Sequence, residues 1–139
     1  MSSAPHPVSW SWPAEVSSVG NARHTVMEWL RGHALADPPL SDIALVVSEA
    51  MTNAVTHAYI GVAPGAIRVR VAVDPDEVMV MIEDDGLGLR PRPDSPGLGF
   101  GLATMVMVSK RFEAQTVQSH GTRLCAWFSR DPAVATLPD

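Results

Sequence analysis

Ser48-Glu49-Ala50-Met51-Thr52-Asn53-Ala54-Val55-Thr56-His57-Ala58-Tyr59 is the stretch around which this chain is organised. Apolar residues recur at Ile43, Val46, Val47, Ala50, Met51, Ala54, Val55 and Ala58, the spacing of one buried helical face. Glu49 and Asn53 form a second stripe beside that face, with His57 one turn further on. Side chains four residues apart sit one above the other on a helix, so the acid and the carboxamide converge on one ligand position. By itself such a pair is commonly the solvated shoulder of an amphipathic helix. Its weight depends on the rest of the chain.

Upstream, Val8, Trp10 and Trp12 alternate with polar residues, which predicts a half-buried strand at a sheet edge or against a second subunit. Ser17-Ser18 precedes a helix to about His33, with Val19, Ala22, Val26, Trp29 and Leu30 at helical spacing. Gly32 and Asp37-Pro38-Pro39 read as its end, and Ser41 or Asp42 as the cap of the next helix. Downstream, Ile60 to Gly65 breaks that helix. Ile67, Val69, Val71 and Val73 alternate with Arg68 and Arg70, and after the turn Asp74-Pro75-Asp76-Glu77 the run Val78 to Ile82 is apolar on both faces. The two predict an antiparallel hairpin whose second strand is central. A proline-rich connection, Leu89 to Pro96, leads to a helix through Leu102, Met105, Val106 and Val108. Phe112 to Ser119 and Thr122 to Phe128 are expected as the last two strands around His120-Gly121.

At 139 residues the chain is expected to be one domain, residues 8–130, with 1–7 and 131–139 as flexible tails. No apolar run reaches the roughly 18 residues of a membrane span, and the first residues lack the pattern of a secretory signal. Cys125, the one cysteine, has no internal disulfide partner, which favours a reducing cytoplasm. A formal charge of −5 argues against a nucleic-acid surface and favours a small protein or a nucleotide as partner.

Two glycine clusters carry the chemistry. The central strand runs directly into Glu83-Asp84-Asp85-Gly86-Leu87-Gly88, where glycine lets a ligand approach the backbone and aspartate offers a fixed acceptor. Gly97, Gly99 and Gly101 open the next helix, where free N–H groups and the helix dipole favour a phosphate. There is no Gly-Lys-Ser/Thr, so a P-loop is excluded, and the glycines follow a proline-rich loop, so the Rossmann context fails. Without a P-loop lysine, triphosphate charge falls to backbone N–H groups and a divalent cation. The side-chain oxygen of Asn53 is the natural protein ligand for Mg²⁺, whose other positions go to water and phosphate. Glu49, one turn away, is placed to accept a proton from an attacking hydroxyl or water.

Glu49-x-x-x-Asn53, Asp84-x-Gly86-x-Gly88, Gly97-x-Gly99-x-Gly101 and Gly121-Thr122 together resemble the four ATP-binding boxes of the GHKL superfamily, which includes gyrase-type, MutL-type and histidine-kinase ATP-binding domains. Within it, the small size, the phrases Ser48-Glu49-Ala50-x-x-Asn53-Ala54 and His57-Ala58-Tyr59, and the short connection between the Asp84 and Gly97 boxes resemble the anti-sigma-factor serine/threonine kinases of the RsbW and SpoIIAB type. The likeness runs from about Val8 to Phe128.

The resemblance implies the Bergerat fold, an α+β two-layer sandwich with a mixed, mostly antiparallel sheet covered by helices on one face. It implies ATP and Mg²⁺ as cofactors. Asp84 would receive the adenine amino group, Gly86 and Gly88 would shape its pocket, and Thr122 would support it. Asn53 would hold Mg²⁺, Glu49 would be the base, and Gly97, Gly99 and Gly101 would line the phosphates, with Leu98, Phe100 and Leu102 in the same binding segment. The implied activity is ATP-dependent phosphorylation of an anti-sigma-factor antagonist together with sequestration of a sigma factor, by a homodimer. The alternatives are a non-catalytic ATP-binding switch and a stand-alone ATPase domain of the histidine-kinase kind. Asp85 reads as a turn residue, Arg90 and Arg92 as loop cations that either touch phosphate or a partner or are simply solvated, and His57 as either packed or orienting Glu49.

Overall fold

Period-2 alternation in five short segments builds a single antiparallel sheet. The computed structural model describes residues 7–33, 35, 37–59, 63–86, 97–117 and 121–130. Their order is β1 (Val8–Pro13), α1 (Val16–Arg31), α2 (Asp37–Asn53), a π-helical turn (Ala54–Ala58), β2 (Ala66–Val73), β3 (Glu77–Asp84), α3 (Gly97–Val108), β4 (Arg111–Thr116) and β5 (Thr122–Ser129). The strands lie in the order β1-β2-β3-β5-β4. All four described pairings are antiparallel, so the sheet expected to be mixed and mostly antiparallel is antiparallel throughout the described residues.

Alternation sends one set of side chains toward the helices. Ile67, Val69 and Val71 of β2, Val78, Val80 and Ile82 of β3, and Leu124, Ala126 and Phe128 of β5 are buried there. They meet Ala22, Val26 and Leu30 of α1, Ile43, Val46, Val47, Ala50 and Met51 of α2, and Met105 of α3. Each large apolar side chain so buried contributes about 1.5–3 kcal/mol. The other face has no helix over it among the described residues; Arg68, Glu83 and Arg123 form an ion-pair ladder across it, Arg123 Nη2 lying 2.8 Å from Glu83. The expected hairpin is present, with Ile67 opposite Asp84 and Val73 opposite Val78. Its turn is closed by Asp74, whose carboxylate accepts the N–H groups of Asp76 and Glu77 at 2.8 Å.

Several boundaries differ from the sequence reading, and α1 already starts at Val16, so that Ser17-Ser18 lie inside it. α2 starts at Asp37, not at Ser41 or Asp42, so Pro38-Pro39 open this helix and do not end the previous one. Proline is tolerated in a first turn because its missing N–H would have no intrahelical partner there, and its fixed φ is already helical. α1 ends at Arg31. The ladder of β4 ends at Thr116, and residues 118–120 and 131–139 lie outside the described residues, as do 1–6.

Candidate functional site

The site begins where β3 leaves the sheet. Asp84, its last residue, faces the helices and is 6% exposed. Its carboxylate accepts the Gly86 N–H at 2.9 Å, and Thr122 is its partner across the ladder. Burial pushes the Asp84 carboxyl above its ordinary value; the Gly86 donor opposes this, neighbouring Asp85 adds to it, and Arg68 and the Thr122 backbone oppose it further. Two glycines interlock around this carboxylate. A Cβ on Gly86 would overlap the Ala58 carbonyl, and one on Gly121 would overlap the Asp84 carbonyl. Gly121 also has φ of +82°, and its N–H donates to Gly86 O at 2.7 Å. The Asp84-Asp85-Gly86 segment is thereby pinned between the end of the π turn that follows α2 and the start of β5.

The second part of the site comes from α2. Asn53 is its last α-helical residue, and the π turn that follows widens the helix, a device found frequently at functional sites. The wider turn moves His57 off the simple four-residue stack expected for it. Asn53 and His57 line a cavity with Asp84 and Thr122, walled by Ala50, Ala54, Ala58, Ile82, Leu102 and Leu124. Asn53 Nδ2 and His57 Nδ1 are buried there with no hydrogen-bond partner among the described residues. An orphaned buried polar atom costs about 1–3 kcal/mol, so a polar ligand that satisfied both would bind where the protein itself leaves a deficit. The described walls enclose about 30 Å³, room for a water or two.

α3 closes the arrangement. Gly101 is buried against α2: a Cβ there would lie 3.0 Å from Asn53 Nδ2 and 3.1 Å from Glu49 Oε1. Gly101, in the helix that also carries Gly97, Leu98, Gly99 and Phe100, thus packs on the Glu49/Asn53 stripe, with Leu102 in the cavity wall. The residues brought together are Glu49, Asn53, Asp84, Gly86, Gly101, Leu102 and Thr122. Gly88, Arg90 and Arg92 lie outside the described residues.

Asp85 is more than a turn residue: Arg68 Nη1 and Nη2 grip its two carboxylate oxygens at 2.9 Å each. The Arg68 fork, through its hydrogen bond, holds the Asp85 carboxyl below its ordinary value. Arg68, Tyr59 and the cavity position of His57 were not singled out by spacing. Arg68 reads as one of two cations on a wet strand face, and only the register Arg68 opposite Glu83 shows which acids it meets.

With that antiparallel sheet and that cavity, the chain belongs to the histidine kinase-like ATPase domain family, whose sequence profile matches residues 12–128. Among solved structures it is similar to the RsbU and RsbW domains of Rv1364c from Mycobacterium tuberculosis, with a TM-score of 0.71 at 21% identity over 91% of this chain. This chain spans 33% of that one. It is also similar to a chain of the SiaB–SiaC complex from Pseudomonas aeruginosa, with a TM-score of 0.66 at 16% identity, covering 87% of this chain and 88% of that one. At such identities the likeness is one of fold. No curated protein matches the chain.

Proposed function

We propose that this chain is an anti-sigma-type regulator with ATP-dependent protein serine/threonine kinase activity, phosphorylating an anti-sigma-factor antagonist and sequestering a sigma factor. The observation that carries the nucleotide part is the cavity itself, where buried Asp84 and Thr122 stand at one end and orphaned Asn53 at the other, beneath Gly101. The shared fold with an RsbW domain, and with a chain solved in the SiaB–SiaC complex, supports a protein partner. On the same resemblance the protein is read as a cytoplasmic homodimer; among the described residues no helix is long and apolar enough to cross a membrane.

In this reading the free lone pairs of the Asp84 carboxylate accept the exocyclic amine of adenine. Gly86 and Gly121 hold that carboxylate in place, and Thr122 supports it from β5. The donor set at the other end fits Mg²⁺: a single neutral carboxamide oxygen, Asn53 Oδ1, leaves most positions to water and phosphate, as that ion prefers. When bound, Mg²⁺ neutralises charge on the phosphate oxygens. The N–H groups of the α3 start face the same phosphates, and the absence of a side chain at Gly101 leaves room beside Asn53. Glu49 accepts the proton of the substrate hydroxyl as its oxygen forms a bond to the γ-phosphorus and the bond to ADP breaks.

The test is calorimetry of ATP with and without Mg²⁺, followed in the same sample by γ-phosphate transfer to a candidate antagonist. Glu49→Gln should bind Mg²⁺-ATP within about twofold of wild type and lose transfer by roughly 10²–10⁴-fold. Equal turnover in the two proteins would remove Glu49 from the chemistry, and wild-type binding without any transfer would identify a nucleotide switch.

A further inference from the structure

Tyr59 ends the π turn, directly after the Ala58 carbonyl against which Gly86 packs. Its hydroxyl donates to Ala66 O at 2.9 Å and accepts the Asp85 N–H at 3.0 Å. The last described pair of the β2–β3 ladder is Ile67 opposite Asp84, so Ala66 and Asp85 are the next residues along. The phenol oxygen therefore sits between them and carries the hydrogen bonding of the ladder one step past its end. Gly65 makes room for this, because any Cβ there would stand 3.0 Å from the Tyr59 hydroxyl. Burial pushes the Tyr59 phenol above its ordinary value, which keeps the proton on the oxygen that must donate. From the opposite face of the sheet, the Arg68 fork grips the Asp85 carboxylate and also reaches Glu83 at 3.3 Å.

We propose that Tyr59 and Arg68 are positioning residues of the nucleotide site, a two-sided latch on Asp85 that holds Asp84 in register with Asn53. Tyr59 belongs to the segment that carries Glu49 and Asn53, and Asp85 follows Asp84 directly. The latch thus joins the two ends of the cavity by one hydroxyl, and a shift of about 1 Å between them is enough to degrade a bound geometry. This rests on the reading of Asp84 as the base-recognising carboxylate. Neither residue touches the nucleotide in that reading.

Base discrimination is the readout. Adenine presents a donor to Asp84 and guanine presents an acceptor, so the preference for ATP over GTP reports where the Asp84 carboxylate lies. Tyr59→Phe removes one oxygen and is expected to cut the ATP-over-GTP preference about tenfold, the size of one net hydrogen bond. Arg68→Lys keeps the charge and loses the fork, and is expected to cut the preference about threefold. Amide exchange at Asp85 in the nucleotide-free protein should accelerate in Tyr59→Phe by about tenfold or more. A fall in Tm with the preference within twofold of wild type would mean that the contacts are merely structural and would overturn the latch. Unaltered exchange at Asp85 would overturn it as well. Wild-type protein that binds neither nucleotide would instead overturn the reading of Asp84 itself and take the proposal with it.

Discussion

The two ends of the cavity are built on opposite terms. At the Asp84 end, the carboxylate, the Gly86 and Gly121 amides and the Tyr59 hydroxyl all have partners, and two glycines are fitted against backbone with no space for a methyl group. At the Asn53 end, a carboxamide nitrogen and an imidazole nitrogen are buried with none among the described residues. One end is preorganised and rigid; the other holds its polar groups in reserve. A site of this kind orients a ligand by the satisfied end and gains favourable hydrogen bonds at the unsatisfied end only when the ligand is present. Substitutions at the first should therefore cost stability or discrimination, and substitutions at the second should cost affinity with little effect on the fold.

The sharpest test of the rigid end is Gly86→Ala. Its Cβ would overlap the Ala58 carbonyl, and the obstacle is backbone, which cannot swing aside. A loss of about 3 kcal/mol or more is expected by chemical denaturation. A variant as stable as wild type would show that the packing is loose. Next comes Asp84→Asn, which separates stability from binding at the same atom. The amide oxygen can still accept the backbone donors, but its NH₂ then faces the adenine amine, and ATP affinity should drop by roughly 10²-fold or more. Stability should move the other way. A carboxyl raised above its ordinary value of 3.8 favours the fold below that pH and loses the contribution as pH rises through the folded value. Removing the charge should therefore raise Tm at pH 7, with the gain vanishing in acid; a lowered Tm at pH 7 would refute the burial argument.

At the reserve end, Asn53→Ala should abolish the Mg²⁺ dependence of ATP binding in calorimetry. Its Tm should stay within about 2 °C of wild type, since Nδ2 makes no hydrogen bond among the described residues. Full Mg²⁺ dependence in the variant would remove the metal assignment. The smallest effect is expected at Asp85. Its carboxyl is lowered by Arg68, so its contribution is present above 3.8 and fades as pH falls through the lower folded value. Asp85→Asn should flatten the acid limb of a Tm-versus-pH curve slightly, because the pair is largely solvated and screened by salt.

Much of this was legible in the sequence for a physical reason: strands and helices here carry strict periodicities. Ile67, Val69 and Val71 alternate, the α2 face repeats at helical spacing, and the boxes at Glu49, Asp84, Gly101 and Thr122 come together as their order suggested. What was hidden depends on register and on competition between local rules. Pro38-Pro39 is as much a start signal as a stop signal, and only the packing of Leu40 and Ile43 decides between them. The π turn has no local signature in Ala54 to Ala58. Tyr59 reaches Ala66 and Asp85, and Arg68 reaches Asp85, through pairings that no spacing in the linear chain encodes.

The cavity also has a consequence in time. Its described walls leave about 30 Å³, whereas sites for small ligands and cofactors enclose on the order of 300–1,000 Å³. Leu102 of α3 forms part of its wall. Entry of a nucleotide therefore begins with an opening of the protein, and the observed association rate in a stopped-flow experiment should level off at high ATP concentration instead of rising without limit. The plateau would measure how often the site opens.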